Sequence, residues 1–192
     1  MISCASAKYS YLFETGKYLD FSQGKWLIND PISNSKIFNA ELSNASIEEF
    51  SKILGKSLTN IDEIRRTELI RPKIDFDLDT SQLKQLYEDT KCDYLINIQG
   101  EVLSNSAGTL SYQSNNPNYY TANRATVSIK IYNLKDGVLI SSSTVQGKAV
   151  DQGNEFNSTN HNLPKILSSA ETMMVTGAKK LIRKYEKYSV KK

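Results

Sequence analysis

The sequence predicts an α/β fold of the α+β sandwich type, in which a mixed β-sheet carries helices packed on at least one face. Three observations predict this class. Helical and extended patterns alternate in the first half of the chain, two alternating segments joined by a turn form a late β-hairpin, and a long amphipathic pattern ends the chain as a helix. A length of 192 residues with 39% hydrophobic residues allows one domain with a substantial core.

The domain organisation follows from these patterns. We expect a lead-in over residues 1–22, a single α/β domain over residues 23–188 and a basic tail over residues 189–192. The domain contains a long polar loop at residues 104–123. The aromatic residues of the lead-in indicate that part of it packs on the domain.

A short strand over residues 24–31 and a helix over residues 43–54 open the predicted domain. The strand ends at a proline, which cannot donate a ladder hydrogen bond. In the helix, Ser46 and Glu49 have the spacing of a capping box, and Gly55 stands where a C-terminal cap belongs. These local signals predict where the helix begins and ends.

Three further segments lead to the centre of the chain. The pattern predicts a helical turn or two at residues 60–66, an extended segment at residues 68–78 and a helix over residues 80–90. The last of these has a buried apolar stripe, and Asp79 or Thr80 caps it.

The second half of the chain predicts three strands and one helix. Residues 92–103 form the clearest strand, and residues 94–98 within it are near-continuously apolar, as expected for a central strand that is covered on both faces. Residues 124–132 and 138–150 lie on either side of a turn and form the hairpin. The C-terminal helix spans residues 164–188, and Pro164 suits its first turn.

The first residues resemble the end of a bacterial lipoprotein signal peptide. Ile2 and Ser3 precede Cys4, and small residues follow it, as in a lipobox. A basic region and an apolar segment of about 7–15 residues normally precede such a cysteine, whereas here only Met1 and Ile2 precede Ser3. Either a start Met replaces the processed segment, or Met1 is the native start and Cys4 is an ordinary thiol.

This resemblance implies that Cys4 is the lipidation site and that residues 1–22 begin with a lipobox remnant. Several acyl chains on one cysteine give a stable membrane anchor. Ala5 stands where an Asp would retain such a protein at the inner membrane. The resemblance therefore implies a place in the cell envelope, at the outer membrane facing the periplasm.

No cluster in the sequence has the spacing of a catalytic or metal site. Asp75, Asp77 and Asp79 alternate with apolar residues, but the Gly and Glu of an EF-hand loop are missing. His161 lies in a polar segment without a nucleophile motif. We therefore expect a protein that is not an enzyme, with no catalytic residue, no metal and no cofactor. A net charge of +3 is too weak to indicate a nucleic-acid partner.

The loop over residues 104–123 is the candidate binding segment. It carries no charge, is rich in Ser and Asn, and contains Tyr112, Tyr119 and Tyr120. Aromatic side chains among small polar residues suit adaptable protein contacts, and the alternative is a plain connection between two strands. We expect these three tyrosines to bind a partner protein.

Cys92 and the C-terminal lysines have structural interpretations. Cys92 opens the predicted central strand, where a thiol behaves as a small buried hydrophobe. The lysines near the end of the last helix favour its negative dipole pole. Docking on an anionic surface is their functional alternative.

Several segments resemble a group of bacterial envelope lipoproteins. They are the strand at residues 24–29, residues 83–86 leading into the run Cys92-Asp93-Tyr94-Leu95-Ile96-Asn97-Ile98-Gln99-Gly100, and the hairpin at residues 127–147 with Ile131-Tyr132-Asn133-Leu134-Lys135-Asp136-Gly137. The α/β domain of that group is similar to the amino-terminal domain of TolB and to the curli secretion lipoprotein CsgG. The resemblance implies an adaptor or assembly component without an active site.

The function that these observations favour is a non-enzymatic, lipid-anchored periplasmic module that binds or supports an envelope protein assembly. Its partner is another envelope protein, its contact with the membrane is through the lipid anchor only, and no nucleic acid is expected. The alternative, if Met1 is the native start, is a soluble nucleic-acid-binding or regulatory α/β domain.

Overall fold

The computed structural model describes residues 7–71, 73–105, 120–152 and 168–190. Within these ranges a mixed sheet of seven strands carries helices on both faces, which confirms the predicted fold class. The strands are β1 (Lys8–Thr15), β2 (Trp26–Ile28), β3 (Ile32–Ser33), β4 (Leu58–Asn60), β5 (Tyr94–Ser104), β6 (Tyr120–Asn133) and β7 (Val138–Gln152). The helices are α1 (Asn39–Leu54), α2 (Ile61–Arg65), α3 (Thr80–Thr90) and α4 (Ala170–Tyr188).

The sheet has the strand order β1-β7-β6-β5-β2-β4, and β3 also pairs with β5. Neighbours from β1 to β5 are antiparallel, whereas β5, β2 and β4 run parallel. A tight turn joins β6 to β7, while helices lie in the connections between the parallel strands, which cannot be joined by a short turn. The sheet therefore has a long-stranded antiparallel half and a short-stranded parallel half.

Two hydrophobic clusters cover the two faces of the sheet. The first cluster joins α1 and α4 to the face that carries Ile96, Ile98, Val127 and Ile129. The second joins α2, α3 and Ile74 to the opposite face, which carries Leu27, Leu95 and Tyr132. Because β2 and the first half of β5 are buried on both faces, their near-continuous apolar sequence is explained, and the predicted central strand is confirmed.

Contacts along α4 hold this helix on the antiparallel half. Gly100 of β5 faces Met174, and a Cβ at this position would overlap the Met174 sulfur. Near the other end, the Tyr185 hydroxyl lies 2.7 Å from the hydroxyl groups of both Ser141 and Ser143 on β7. The buried phenol is therefore hydrogen-bonded, as a polar group inside a core must be.

The start of α1 differs from the prediction. The helix begins at Asn39, and the capping box at Ser46 and Glu49 is wrong, since both residues are buried inside the helix. The Ser46 hydroxyl donates to a carbonyl one turn earlier at 2.7 Å. The N-cap residue Phe38 makes no side-chain hydrogen bond, so no local signal marks this start. The predicted end is confirmed, because Gly55 follows the last turn with a φ of 55°.

The prediction for α3 is confirmed at both ends. The Asp79 carboxylate accepts from the Gln82 backbone N–H at 2.8 Å, and the Gln82 side chain accepts from the Asp79 N–H at 3.0 Å. The preceding segment, predicted to be extended, forms no strand in the part that the structure describes. It does keep the predicted alternation, with Ile74 buried and Asp75 and Asp77 exposed.

The N-terminal part of α4 also differs. The helix begins at Ala170, where the Ser169 side chain accepts from the Thr172 backbone N–H at 3.1 Å. The prediction of a helix start at residue 164 is therefore wrong. Pro164 and His161 lie outside the described residues.

The lead-in contains a strand that the sequence analysis does not predict. β1 pairs with β7 along the edge of the sheet, from Lys8 opposite Lys148 to Thr15 opposite Ser142. Tyr9, Tyr11 and Phe13 alternate along it and pack against the first cluster. The expectation that aromatic residues of the lead-in pack on the domain is confirmed.

The predicted loop at residues 104–123 is shorter in the structure. β5 continues to Ser104, and β6 already begins at Tyr120, so residues 120–123 belong to a strand. Tyr112 and Tyr119 lie outside the described residues. The backbone of Tyr120 pairs with Gln152 of β7.

Candidate functional site

Five element ends meet at one end of the sheet, which we call the loop end. It comprises the start of β1, the end of β5, the start of β6, the end of β7 and the start of α4. Across the strands, Lys8 lies opposite Lys148, Lys148 opposite Arg124, and Arg124 opposite Ser104. The start of α4 lies at the same end, because the side-chain amide of Asn123 on β6 donates to the carbonyl of Ser168, just before the N-cap residue Ser169, at 2.9 Å.

Three chain segments outside the described residues adjoin the loop end. Residues 1–6 precede β1, residues 106–119 connect β5 to β6, and residues 153–167 connect β7 to α4. The candidate residues Cys4, Tyr112 and Tyr119 belong to these segments. Strand order, which the sequence does not reveal, therefore brings the described residues that flank these segments to one end of the sheet.

Polar contacts hold the flanks of these segments in place. The Asn105 side-chain amide donates to both carboxylate oxygens of Glu171 at 2.8 Å, and its carbonyl accepts from the Ala170 backbone N–H at 3.4 Å. Asn123 is fully buried and donates to the Ser168 carbonyl. The exit from β5, the entry to β6 and the start of α4 are thus tied together.

The lysines of α4 mostly cover aromatic rings or form ion pairs. Lys180 lies 4.2 Å from the ring centre of Tyr9, and Lys184 lies 5.0 Å from that of Tyr11. Burial raises the pKa of both tyrosines, so both phenols stay neutral at pH 7. Arg183 binds the Glu49 carboxylate through two hydrogen bonds of 2.7 and 2.9 Å. These contacts favour the structural interpretation of the C-terminal cations.

Cys92 lies just before β5 and is 3% exposed, within the second cluster. Burial raises the pKa of its thiol, although a hydrogen bond with Thr90 opposes this shift. A buried, protonated thiol is a weak nucleophile. The prediction of a core thiol is confirmed.

The carboxylates of the 75–79 segment are used separately. Asp75 pairs with Lys73 at 2.9 Å, Asp77 pairs with Lys130, and Asp79 caps α3. Among the residues that the structure describes, no three His, Cys, Asp or Glu side chains are grouped as a metal site would need. An open depression of about 250 Å³ lies at the opposite end of the sheet, beside Gly24, Asp93 and Asn133.

A row of three cations is the feature of the loop end that sequence reasoning missed. Lys8, Lys148 and Arg124 are neighbours on adjacent strands, yet they are far apart along the chain. No sequence signal joins them, because only the strand register does so.

Comparisons with known proteins give structural neighbours only. No family model matches the chain, and no curated protein matches it significantly in sequence. The chain is similar to the PelC dodecamer protein of Paraburkholderia phytofirmans, with 9% identity and a TM-score of 0.46 over 94% of this chain and 97% of that one. Lipoprotein GNA1162 of Neisseria meningitidis has 11% identity and a TM-score of 0.38 over 73% and 87% of the two chains.

A third neighbour is the hypothetical protein CT253 of Chlamydia trachomatis, with 11% identity and a TM-score of 0.39 over 86% of this chain and 94% of that one. All three similarities concern the path of the backbone, and each has a TM-score below 0.5. A lipoprotein is thus among the structural neighbours, whereas the resemblance to TolB and CsgG stays a prediction. No helix within the described ranges is both long and apolar enough to cross a membrane.

Proposed function

We propose that this chain is a non-enzymatic, lipid-anchored module of the bacterial cell envelope that binds another envelope protein. One observation carries the proposal. β1, which follows the lipobox-like Cys4 in the chain, begins at the same end of the sheet at which β5 ends and β6 begins, and these two strands flank the tyrosine-bearing segment in the sequence. An anchor and a recognition segment at one end allow the module to hold a partner close to the membrane.

The distance from the anchor to the folded domain supports this arrangement. Cys4 precedes Lys8, the first residue of β1, by four positions. Four residues of extended chain span at most about 14 Å. Acyl chains on Cys4 would therefore keep the loop end next to the outer membrane, on its periplasmic side, rather than on a long tether.

The partner is proposed to contact Tyr112, Tyr119 and Tyr120. Tyrosine provides a large contact area at a small cost in conformational entropy, and neighbouring Ser and Asn supply hydrogen bonds. The contacts of Asn105 and Asn123 with the start of α4 hold both ends of this segment. Fixed ends reduce the entropy that binding would cost.

The anchor is tested by fractionation. The protein is expressed in a bacterial host behind a complete lipoprotein signal peptide, as the parent and as Cys4→Ser. We expect the parent in the membrane fraction with a mass increased by the lipid, and Cys4→Ser in the soluble periplasmic fraction.

The matched control is Cys92→Ala, which removes the other cysteine of the chain and should leave the protein in the membrane fraction. Equal partitioning of the parent and Cys4→Ser, or a parent without added mass, would contradict the anchor and favour the alternative of a soluble domain.

A further inference from the structure

We propose that Lys8, Arg124 and Lys148 form a cationic contact for the phosphate groups of anionic lipids in the membrane surface. This inference deepens the proposed function, since it assigns a second membrane contact to the loop end beside the anchor. It concerns the folded domain and uses only residues that the structure describes.

The three cations form a straight row across the sheet. Lys8 on β1 lies opposite Lys148 on β7, and Lys148 lies opposite Arg124 on β6. Residues directly opposite one another point to the same face, and neighbouring strands lie about 4.8 Å apart, so the row spans roughly 10 Å. The flanking residues Tyr9, Ala125 and Ala149 face the first cluster, so the cations lie on the other face.

Among the described residues, no helix covers that other face at the loop end. The second cluster, with α2 and α3, covers the face beside β2 and the first half of β5, whereas Lys8 and Lys148 are exposed and Arg124 is half-buried. The row therefore has two exposed cations and one half-buried cation on adjacent strands of the sheet. Several cations spread over about 10 Å suit a layer of phosphates better than a single small anion.

The row places like charges directly opposite one another on neighbouring strands. Like charges directly opposite one another on a sheet are destabilising. Within the described ranges neither Lys8 nor Arg124 forms an ion pair, while Lys148 has a further contact. Glu101 lies opposite Thr126, one position further on this face, and does not pair with Arg124. A surface of phosphates would relieve the repulsion within the row.

The position of the row selects the membrane as the source of phosphate. Lys8 is four residues from the proposed anchor, so an anchored domain has this end of the row within about 14 Å of the anchored cysteine. Each Lys or Arg near an anionic membrane surface strengthens binding by about 1 kcal/mol, which is roughly fivefold. Such attraction is strong enough to orient a domain that the lipid anchor already keeps at the membrane.

The test measures binding of full-length Cys4→Ser, which carries no lipid, to vesicles by sedimentation. Vesicles with phosphatidylglycerol are compared with pure phosphatidylcholine vesicles. We expect binding to the anionic vesicles that weakens as salt rises from 0.05 to about 0.5 M, because salt screens surface charges. Adding Lys8→Gln and Arg124→Gln should weaken it roughly 25-fold, with the melting temperature unchanged or slightly raised.

The matched control adds Lys56→Gln and Lys135→Gln instead, which removes the same charge from exposed lysines away from the loop end. Equal binding by the two double variants, or equal binding of the parent to both vesicle types, overturns the proposal. So does competition by inorganic phosphate beyond that of chloride at the same ionic strength, or tighter binding to duplex DNA. Because the protein carries no lipid here, these results do not depend on whether Cys4 is lipidated.

Discussion

Glu49 illustrates how a single residue takes its role from its tertiary contacts. Its side chain is 3% exposed on α1, and its carboxylate binds Arg183 of α4 and Lys52. The hydrogen bonds from Arg183 lower its pKa from 4.5 to about 2, against the opposing effect of burial. The spacing of Ser46 and Glu49 predicts a helix cap, whereas Glu49 links two helices.

This ion pair predicts a specific dependence of stability on pH. The pKa of Glu49 is lower in the folded chain than in the unfolded one, so its contribution is present above about pH 4.5 and is lost as the pH falls from about 5 to about 2. Glu49→Gln should lower the free energy of unfolding at pH 7 by about 2 kcal/mol, since Arg183 is partly exposed and solvent screens the pair. Urea titrations at several pH values measure the difference.

The difference between parent and Glu49→Gln should shrink towards zero near pH 2. Glu88→Gln serves as the control, because Glu88 pairs with Lys91 on the surface, where ion pairs contribute little. A difference that stays constant from pH 7 to pH 3 would show that the ionised form of Glu49 does not stabilise the fold.

Cys92 gives a second prediction at the scale of one residue. Its thiol should resist alkylation in the native protein and react within minutes in denaturant, because burial both shields it and raises its pKa. Mass spectrometry of Cys4→Ser, which has no other cysteine, measures the reaction directly. Rapid native labelling would show that the region around α3 opens readily.

At the scale of elements, β5 and β6 form a long antiparallel pair whose cross-strand contacts lie within the described residues. The segment between them, residues 106–119, is proposed to serve recognition rather than stability. β6 begins at Tyr120, four residues before Arg124, and Arg124 is the residue opposite Ser104 at the end of β5. β6 therefore extends about four residues past the end of β5, and a two-residue turn would be too short to join the two strands. A six-residue Gly-Ser linker has the necessary length.

Replacing residues 106–119 with this linker should leave the melting temperature within a few degrees of the parent value. The entropy of loop closure changes by only about 0.6 kcal/mol for each doubling of loop length. The replacement, and the triple variant Tyr112→Ala, Tyr119→Ala and Tyr120→Ala, should both lose a partner that the parent recovers from an envelope extract. Thermal melts and pull-downs are measured together.

Tyr18→Ala is the control for this experiment, since Tyr18 is 65% exposed outside the loop end. It should keep the partner. A large drop in melting temperature for the two loop variants would show that the tyrosines belong to the core. Unchanged melts with an unchanged set of partners would place the binding surface elsewhere.

At the scale of the whole molecule, the two faces of the sheet differ in how much of each is covered by helices. α1 and α4 cover one face along its length, whereas α2 and α3 cover only part of the other. The antiparallel half can expose a polar face to water because its strands alternate between apolar and polar residues. The cationic row lies on this exposed face, at the end beside the proposed anchor.

The sequence by itself determined the elements that carry their own local signals. α3 and its cap follow from Asp79 and Gln82, which are close neighbours in the chain. The hairpin of β6 and β7 follows from alternation and a turn, and the burial of Cys92 and β5 follows from an apolar run. In these elements the stabilising partner is nearby or is simply the core.

Only the tertiary structure decided the features whose partners are distant along the chain. β1 is held by β7, α1 begins without a side-chain cap, and Glu49 binds Arg183. The convergence of strand ends at the loop end, and the row of cations there, depend on strand order and register. Composition and periodicity predict which residues face a core, but they carry no information about which strand lies beside which.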